Sequence, residues 1–312
     1  VAWLIIGLPL IGAALLLIGG RLLDSWGHWL AVVLSFASFA CGLTLFIQMV
    51  GRSAADRAQT ASFYTWMSLP GIQTDLSLRL DPLSIVFVLL ITGVGSLIHL
   101  YSVGYMAHDE KRRKFFAYLN LFMAAMLLLV LGNSYLVLFV GWEGVGLASY
   151  LLIGFWAHRP AAANAANKAF IMNRMGDVGM MLAIVTMFKY FGSTEFSTVN
   201  AHINGVDSWI PTFLGFMLLL GACAKSAQVP FQAWLLDAME GRRRLPRPAP
   251  RGYPPVSTWL SAVAVSTSVP RQLPWQLSSS VLLPSWLVPG SVVLKMTSRR
   301  YLPVPPCRRL VT

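Results

Sequence analysis

Charge is scarce in this sequence. Only 12% of its 312 residues are Asp, Glu, Lys or Arg, about half the ~25% of an ordinary soluble domain. That shortage argues against a water-facing globule and for a chain that lives in lipid. Carboxylates are missing altogether from residues 242–312, which carry 11 Lys/Arg, whereas residues 1–241 carry 13 Lys/Arg and 12 Asp/Glu. The net charge of +12 is therefore +1 in a body and +11 in a tail. Proline follows the same division, with 12 of its 18 occurrences in the tail. Cysteine is rare too. Cys41, Cys223 and Cys307 are far apart and form neither a CxxC nor a Cys/His cluster, so no metal site and no disulfide framework is expected. Nucleophile triads, phosphate loops and dinucleotide fingerprints are also lacking, which argues against bond-making chemistry. The basic tail lacks a recognisable RNA or DNA module, and no nucleic-acid partner is expected.

What the sequence has in abundance is long apolar runs. Segments of roughly 18 or more apolar residues can cross a ~30 Å hydrocarbon core as helix. Six fall near 1–20, 29–50, 82–107, 114–132, 134–156 and 162–191, and a seventh, broken one starts near Pro211. The first lacks a basic region before it and is followed at once by another apolar run, so it reads as a span rather than a signal peptide. The expected fold is an all-α, polytopic transmembrane helix bundle of about six full spans plus a broken seventh, with an irregular C-terminal tail. Residues 51–81, containing Arg52, Asp56, Arg57, Trp66 and Pro70, read as an ordered external loop. Trp26, Trp29, Trp66, Tyr101, Tyr105, Trp156, Tyr190 and Trp209 stand near the span ends as an interfacial belt. Lys/Arg asymmetry, dominated by the HDEKRRK turn at 108–114, places the N-terminus outside.

Ionisable residues within spans are costly and are functional candidates by default. Glu143 lies mid-span in YLVLFVGWEGVGLASYLLIGFW; it is either a neutral acid tying two helices together or part of a proton relay. Asp177 lies in NKAFIMNRMGDVGMMLAIV, with Arg174 three residues earlier on the same helical face and Lys168 further out. Either Arg174 and Asp177 form a local ion pair, or they hold and release charge beside Glu143. Lys225 ends the apolar run PTFLGFMLLLGACAK, and the text resumes as FQAWLL after Pro230. Proline should break the helix there, and broken helices carrying charge recur in transporters; the structural alternative is a snorkelling lysine. His28, His108, His158 and His202 fall in loops or at helix ends and are expected to be solvated, while His99 lies within the third span as a helix–helix contact. A Glu, an Asp/Arg pair and a Lys on consecutive spans suit proton transport.

In order and spacing, LDPLSIVFVLLITGVGSLIHLYSVGYM, FFAYLNLFMAAMLLLVL, GWEGVGLASYLLIGFW, NKAFIMNRMGDVG and AKSAQVPFQAWLLDAMEG closely resemble the large antiporter-like (subunit L) family of membrane subunits of respiratory NADH:quinone oxidoreductase, complex I. The resemblance runs from about residue 1 to Gly241. It implies a helical subunit of the distal membrane arm, in a bacterial inner membrane, that moves protons while a peripheral arm passes electrons from NADH to quinone. By resemblance Glu143 is the carboxylate that controls charge, Lys225 the broken-helix lysine, and Asp177 and Arg174 their neighbours. No cofactor is expected in this chain; NADH, FMN, iron-sulfur clusters and quinone belong to partner subunits. Its partners are the other membrane-arm subunits, lipid and protons. Similar segments occur in multisubunit cation/proton antiporters and membrane-bound hydrogenases, which is the alternative reading.

After Gly241 the resemblance stops. Where the family continues with a histidine-bearing helix, this chain reads GRRRLPRPAPRGYPPVSTWLSAVAVS. Back-translating KMTSRRYLPVPPCRRLVT with free codon choice and reading one nucleotide earlier yields text similar to a later stretch of the family. Residues 242–312 therefore read as an out-of-frame translation. The second helical repeat is then missing, and a truncated, non-transporting remnant is a further alternative.

Overall fold

The computed structural model describes residues 1–53, 56–69, 72–228 and 230–238; the tail expected at 242–312 lies outside the described residues. Apolar runs become helices because lipid offers the backbone no partners, so each N–H and C=O must be satisfied within its own segment. The helices are α1 (Ala2–Ile18), α2 (Gly27–Val50), α3 (Pro82–Tyr105), α4 (Arg112–Leu131), α5 (Tyr135–Ile153), α6 (Pro160–Phe191), the short α7 (Phe196–His202), α8 (Trp209–Lys225) and α9 (Ala233–Ala238). Five of them, α2 to α6, are long and apolar enough to cross a membrane, and α1 and α8 are apolar helices of 17 residues. The expected spans thus fall on observed helices, with boundaries shifted by a few residues.

Local chemistry starts and stops these helices. Asp81 caps α3 by accepting from the Ser84 amide at 2.8 Å, with Pro82 at the first helical position. Ser134 caps α5 through the Val137 amide at 3.2 Å. Gly192, with φ +65°, closes α6 in the left-handed conformation that glycine adopts without strain.

Helix α4 is the hub, with 72% of its most apolar window buried, and it packs against α1, α2, α3 and α5. Helix α6 lies against α5 on one side and α8 on another. Large apolar side chains on the outer helices remain exposed, among them Val33, Ile47, Leu97, Ile171 and Val185 at 61–64%. Such surface is intolerable in water and ordinary in lipid. Trp26, Trp29, Trp66, Tyr101 and Trp209 are likewise exposed near helix or strand ends, where an interfacial belt would lie.

The loop expected at 51–81 contains an antiparallel hairpin, β1 (Gln59–Leu69) and β2 (Ile72–Leu80), with register shifts at Ser62/Tyr64 and Thr65/Met67. Its Thr, Phe, Tyr and Trp residues favour a pleated surface. The hairpin meets the α4–α5 turn: the Asn133 amide donates to the Ser77 carbonyl at 3.1 Å, and the Asn133 side chain to Ser77 Oγ at 3.1 Å. The Tyr135 amide in turn donates to the Thr194 carbonyl at 2.9 Å. At the opposite end Arg113 pairs with Asp24 at 2.7 Å and also reaches the Leu16 carbonyl, while Trp156 Nε1 donates to Asp109 at 3.1 Å. Successive helices alternate in direction between these two tied ends.

One expected solvated side chain is not solvated. His28 is 6% exposed in the first turn of α2, with its ring 6.1 Å from that of Phe116 on α4. An imidazole is apolar enough in its body to fill a helix contact near a span end. His108, His158 and His202 are exposed. His99 is buried in α3, donating from Nδ1 to the Gly95 carbonyl at 2.8 Å and packing on Phe116; the proton must sit on Nδ1, because a carbonyl only accepts.

Candidate functional site

Helix α8 stops at Lys225, five residues before the proline expected to break it. The reason is steric: a proline at 230 would collide with the carbonyl of residue 226 if that residue were helical. The last turn is closed by other groups. The Gln228 amide donates to the Cys223 carbonyl at 2.9 Å, and Trp234 Nε1 from α9 donates to the Ala224 carbonyl at 2.9 Å. Ala227 sits between them at φ +52°, the left-handed region that a residue with a Cβ enters at a cost of about 1 kcal/mol or more. Lys225 is therefore the final residue of a helix whose C-terminal carbonyls carry partial negative charge. It is 5% exposed, so it does not snorkel to an interface.

The opposite wall is α6. Gly176 lets α6 and α8 touch backbone to backbone: a Cβ there would collide with the Ala224 methyl and lie 3.3 Å from the Gly221 Cα. Small residues of this kind are what permit close helix approach in lipid. The next residue, Asp177, is 4% exposed and is thus carried to the α5–α8 side of the bundle.

The third wall is α5. Glu143 is its ninth residue, and its side chain is 22% exposed. Arg174 reaches across from α6 to pair with Glu143, while its guanidinium also lies 4.8 Å over the Phe170 ring. The local ion pair between Arg174 and Asp177 is thus replaced by one between helices. A guanidinium on a long stem can reach past its own helix face, whereas the short Asp177 carboxylate cannot. Asp177 accepts instead from the indole Nε1 of Trp142, at 2.7 Å. Lys225 Nζ donates to the Trp142 backbone carbonyl at 3.2 Å and lies 5.5 Å from the centre of its ring. Lys168 is half-buried, further along α6.

All four side chains singled out from the sequence, Glu143, Arg174, Asp177 and Lys225, therefore gather where α5, α6 and α8 meet. Two acids and two bases balance in formal charge, as buried ions must. Lys225 interacts electrostatically with Asp177, Glu143 and Arg174 together, so a change of charge at one is felt by the others. Sequence reasoning missed Trp142, the residue that touches both Asp177 and Lys225. Its signal was present: a buried Trp needs an acceptor for its N–H, and this one directly precedes an intramembrane Glu. Among the described residues, no three His, Cys, Asp or Glu side chains come together in a group able to hold a metal.

Known proteins resemble this chain along most of the described region. Residues 132–270 match the family model described as "NADH:quinone oxidoreductase/Mrp antiporter, TM". Residues 66–116 match "NADH-Ubiquinone oxidoreductase (complex I), chain 5 N-terminus". A curated relative named NADH-quinone oxidoreductase subunit L, from Mycobacterium tuberculosis, is 56% identical over 239 residues, covering 77% of this chain and 38% of the relative. A chloroplastic NAD(P)H-quinone oxidoreductase subunit 5 from Cryptomeria japonica is 40% identical over 253 residues, covering 77% and 34%. Among solved structures, a chain of the Mrp complex from a Dietzia species superposes with a TM-score of 0.69 at 26% identity, covering 87% of this chain and 28% of that one. The chain spans little more than a third of the length of these curated relatives.

Proposed function

Because the chain belongs to the NADH:quinone oxidoreductase/Mrp antiporter family of membrane subunits, on its subunit L branch, we propose that it is a proton-translocating component of a complex I-type membrane arm in a bacterial inner membrane. In this reading the N-terminus faces outward. The other membrane-arm subunits are its partners, and NADH, FMN, iron-sulfur clusters and quinone reside in subunits other than this one.

One observation carries the proposal: a lysine ammonium at 5% exposure, held at the broken end of α8 on a backbone carbonyl of α5. A buried ion with so few fixed partners depends on the charge around it. Glu143 is held by Arg174, and Asp177 by the Trp142 indole. When either carboxylate gains or loses a proton, the field at Lys225 changes, and the lysine is driven to take up or release its own. Moving the Glu143–Arg174 pair apart would have the same effect. The site moves protons by altering charge at fixed positions, without making or breaking any other bond.

Proton flux in vesicles holding the assembled complex tests this, with the intact chain compared with Lys225→Ala. Loss of flux in the variant is expected. Equal flux at equal assembly overturns the relay and favours a chain that inserts without conducting. The likeness to the Mrp complex supports a second reading, a subunit of a multisubunit cation/proton antiporter. Flux that needs a cation gradient and no electron donor would favour it.

A further inference from the structure

We infer that Trp142 is a positioning residue of the proton site, holding Asp177 and Lys225 coupled but apart. The inference rests on the relay reading above and adds to it a group that carries no charge.

Trp142 is 2% exposed and precedes Glu143 on α5. Neighbouring helical residues point about 100° apart, so these two face different partners: Glu143 meets Arg174, and Trp142 meets Asp177 and Lys225. Trp142 is used three ways. Nε1–H donates to Asp177 Oδ1 at 2.7 Å, the peptide carbonyl accepts from Lys225 Nζ at 3.2 Å, and the ring lies 5.5 Å from the same ammonium. Short hydrogen bonds to an ionised group are among the stronger ones in proteins.

Space for the ammonium is kept by Gly146, one turn further along α5. A Cβ there would stand 2.8 Å from Lys225 Nζ, closer than atoms can rest. Among the described residues Lys225 makes no direct ion pair with Asp177, and the ion pair at this site is Arg174–Glu143. A direct pair inside protein would bind both ions firmly and make either one costly to neutralise. Each bonded to Trp142 rather than to the other, Asp177 and Lys225 sense each other's charge and each remains free to exchange a proton.

Trp142→Phe keeps the ring and the peptide carbonyl and removes only the N–H. In the assembled complex it should lower proton flux about tenfold, the scale of one hydrogen bond to a charged group. Introduced into Asp177→Ala, it should cause little further loss, because the interaction it removes is already absent. A Trp142 that merely fills space would give independent, multiplying losses. Ultraviolet resonance Raman spectra of the reconstituted chain report indole N–H bonding directly. The difference between wild type and Trp142→Phe should be that of a strongly bonded indole, and Asp177→Ala should remove one such signal.

Flux in Trp142→Phe equal to wild type, while Lys225→Ala abolishes it, overturns the positioning role and leaves the relay standing. Unchanged flux in Lys225→Ala overturns the relay instead. If Trp142→Phe fails to assemble, the Asp177→Ala spectrum still decides: no loss of a bonded indole signal overturns the inference.

Discussion

In α2 and α3 three buried hydroxyls bond within their own helix, whereas in α5, α6 and α8 the four charged side chains and Trp142 reach across to a neighbour. Ser35 donates to Val32, Thr92 to Val88 and Ser96 to Thr92, at 2.6–2.8 Å. Ser38 instead donates across to the Ile5 carbonyl of α1. Charges tied between elements near α1, α2 and α4 lie at the end, in the Arg113–Asp24 pair. In the second region Glu143, Arg174, Asp177, Lys225 and Trp142 each find their partner on another helix. A hydroxyl satisfied within its own turn says little about where the next helix goes. An ion in lipid must be met from outside, and so it dictates helix placement as well as function.

Several changes would break or sharpen that contrast. The largest effect is expected from Gly176→Leu, which forces α6 off α8 at their closest point. The site should be lost, and with it stable membrane assembly, as read by protease resistance. Asp177→Leu comes next. It strands the Trp142 N–H and a buried ammonium, and removing one member of a buried charge set typically costs about 3–5 kcal/mol. Thermal unfolding in detergent should fall sharply, and Lys225→Met in the same chain should recover much of the loss. Arg174→Gln removes the partner of Glu143, midway along α5, and leaves a carboxyl that can regain neutrality by taking up a proton. Its stability cost should be smaller than that of Asp177→Leu, with flux more affected than stability. Thr92→Val in the first region removes the hydroxyl that donates to the Val88 carbonyl and leaves that carbonyl within the helix, while retaining volume. It should change unfolding by less than about 1 kcal/mol and leave flux unaltered. If Thr92→Val proves as damaging as Asp177→Leu, the distinction between the regions fails. Ala227→Gly should stabilise slightly, by up to about 1 kcal/mol, by relieving the positive φ next to Lys225.

The spans were legible because apolar length is a direct physical requirement of crossing lipid, and the four charged residues were legible because they violate it. The break after Lys225 was legible in kind, since proline forbids helix before it, although the end came just ahead of Ser226, the residue proline would strike, rather than at proline itself. The hairpin at 59–80 was hidden because its alternation is interrupted by two register shifts. His28 was hidden because a helix end in sequence can lie against a neighbour in space. Its contact is with Phe116, far away along the chain.

Pairing was the part that only the tertiary structure decided. Spacing suggested Arg174 with Asp177, three residues apart, because helical periodicity is the only geometry that a sequence contains. Which helix faces which depends on Gly176 meeting Ala224 and on Gly146 leaving room for an ammonium, contacts between residues far apart in the chain. The sequence determined that the chain is a membrane helix bundle and that it carries two acids and two bases where lipid would forbid them, since both follow from the cost of exposing backbone and charge to hydrocarbon. Close packing of α5, α6 and α8 then decided that Glu143 takes Arg174, and that Asp177 and Lys225 both bond to Trp142.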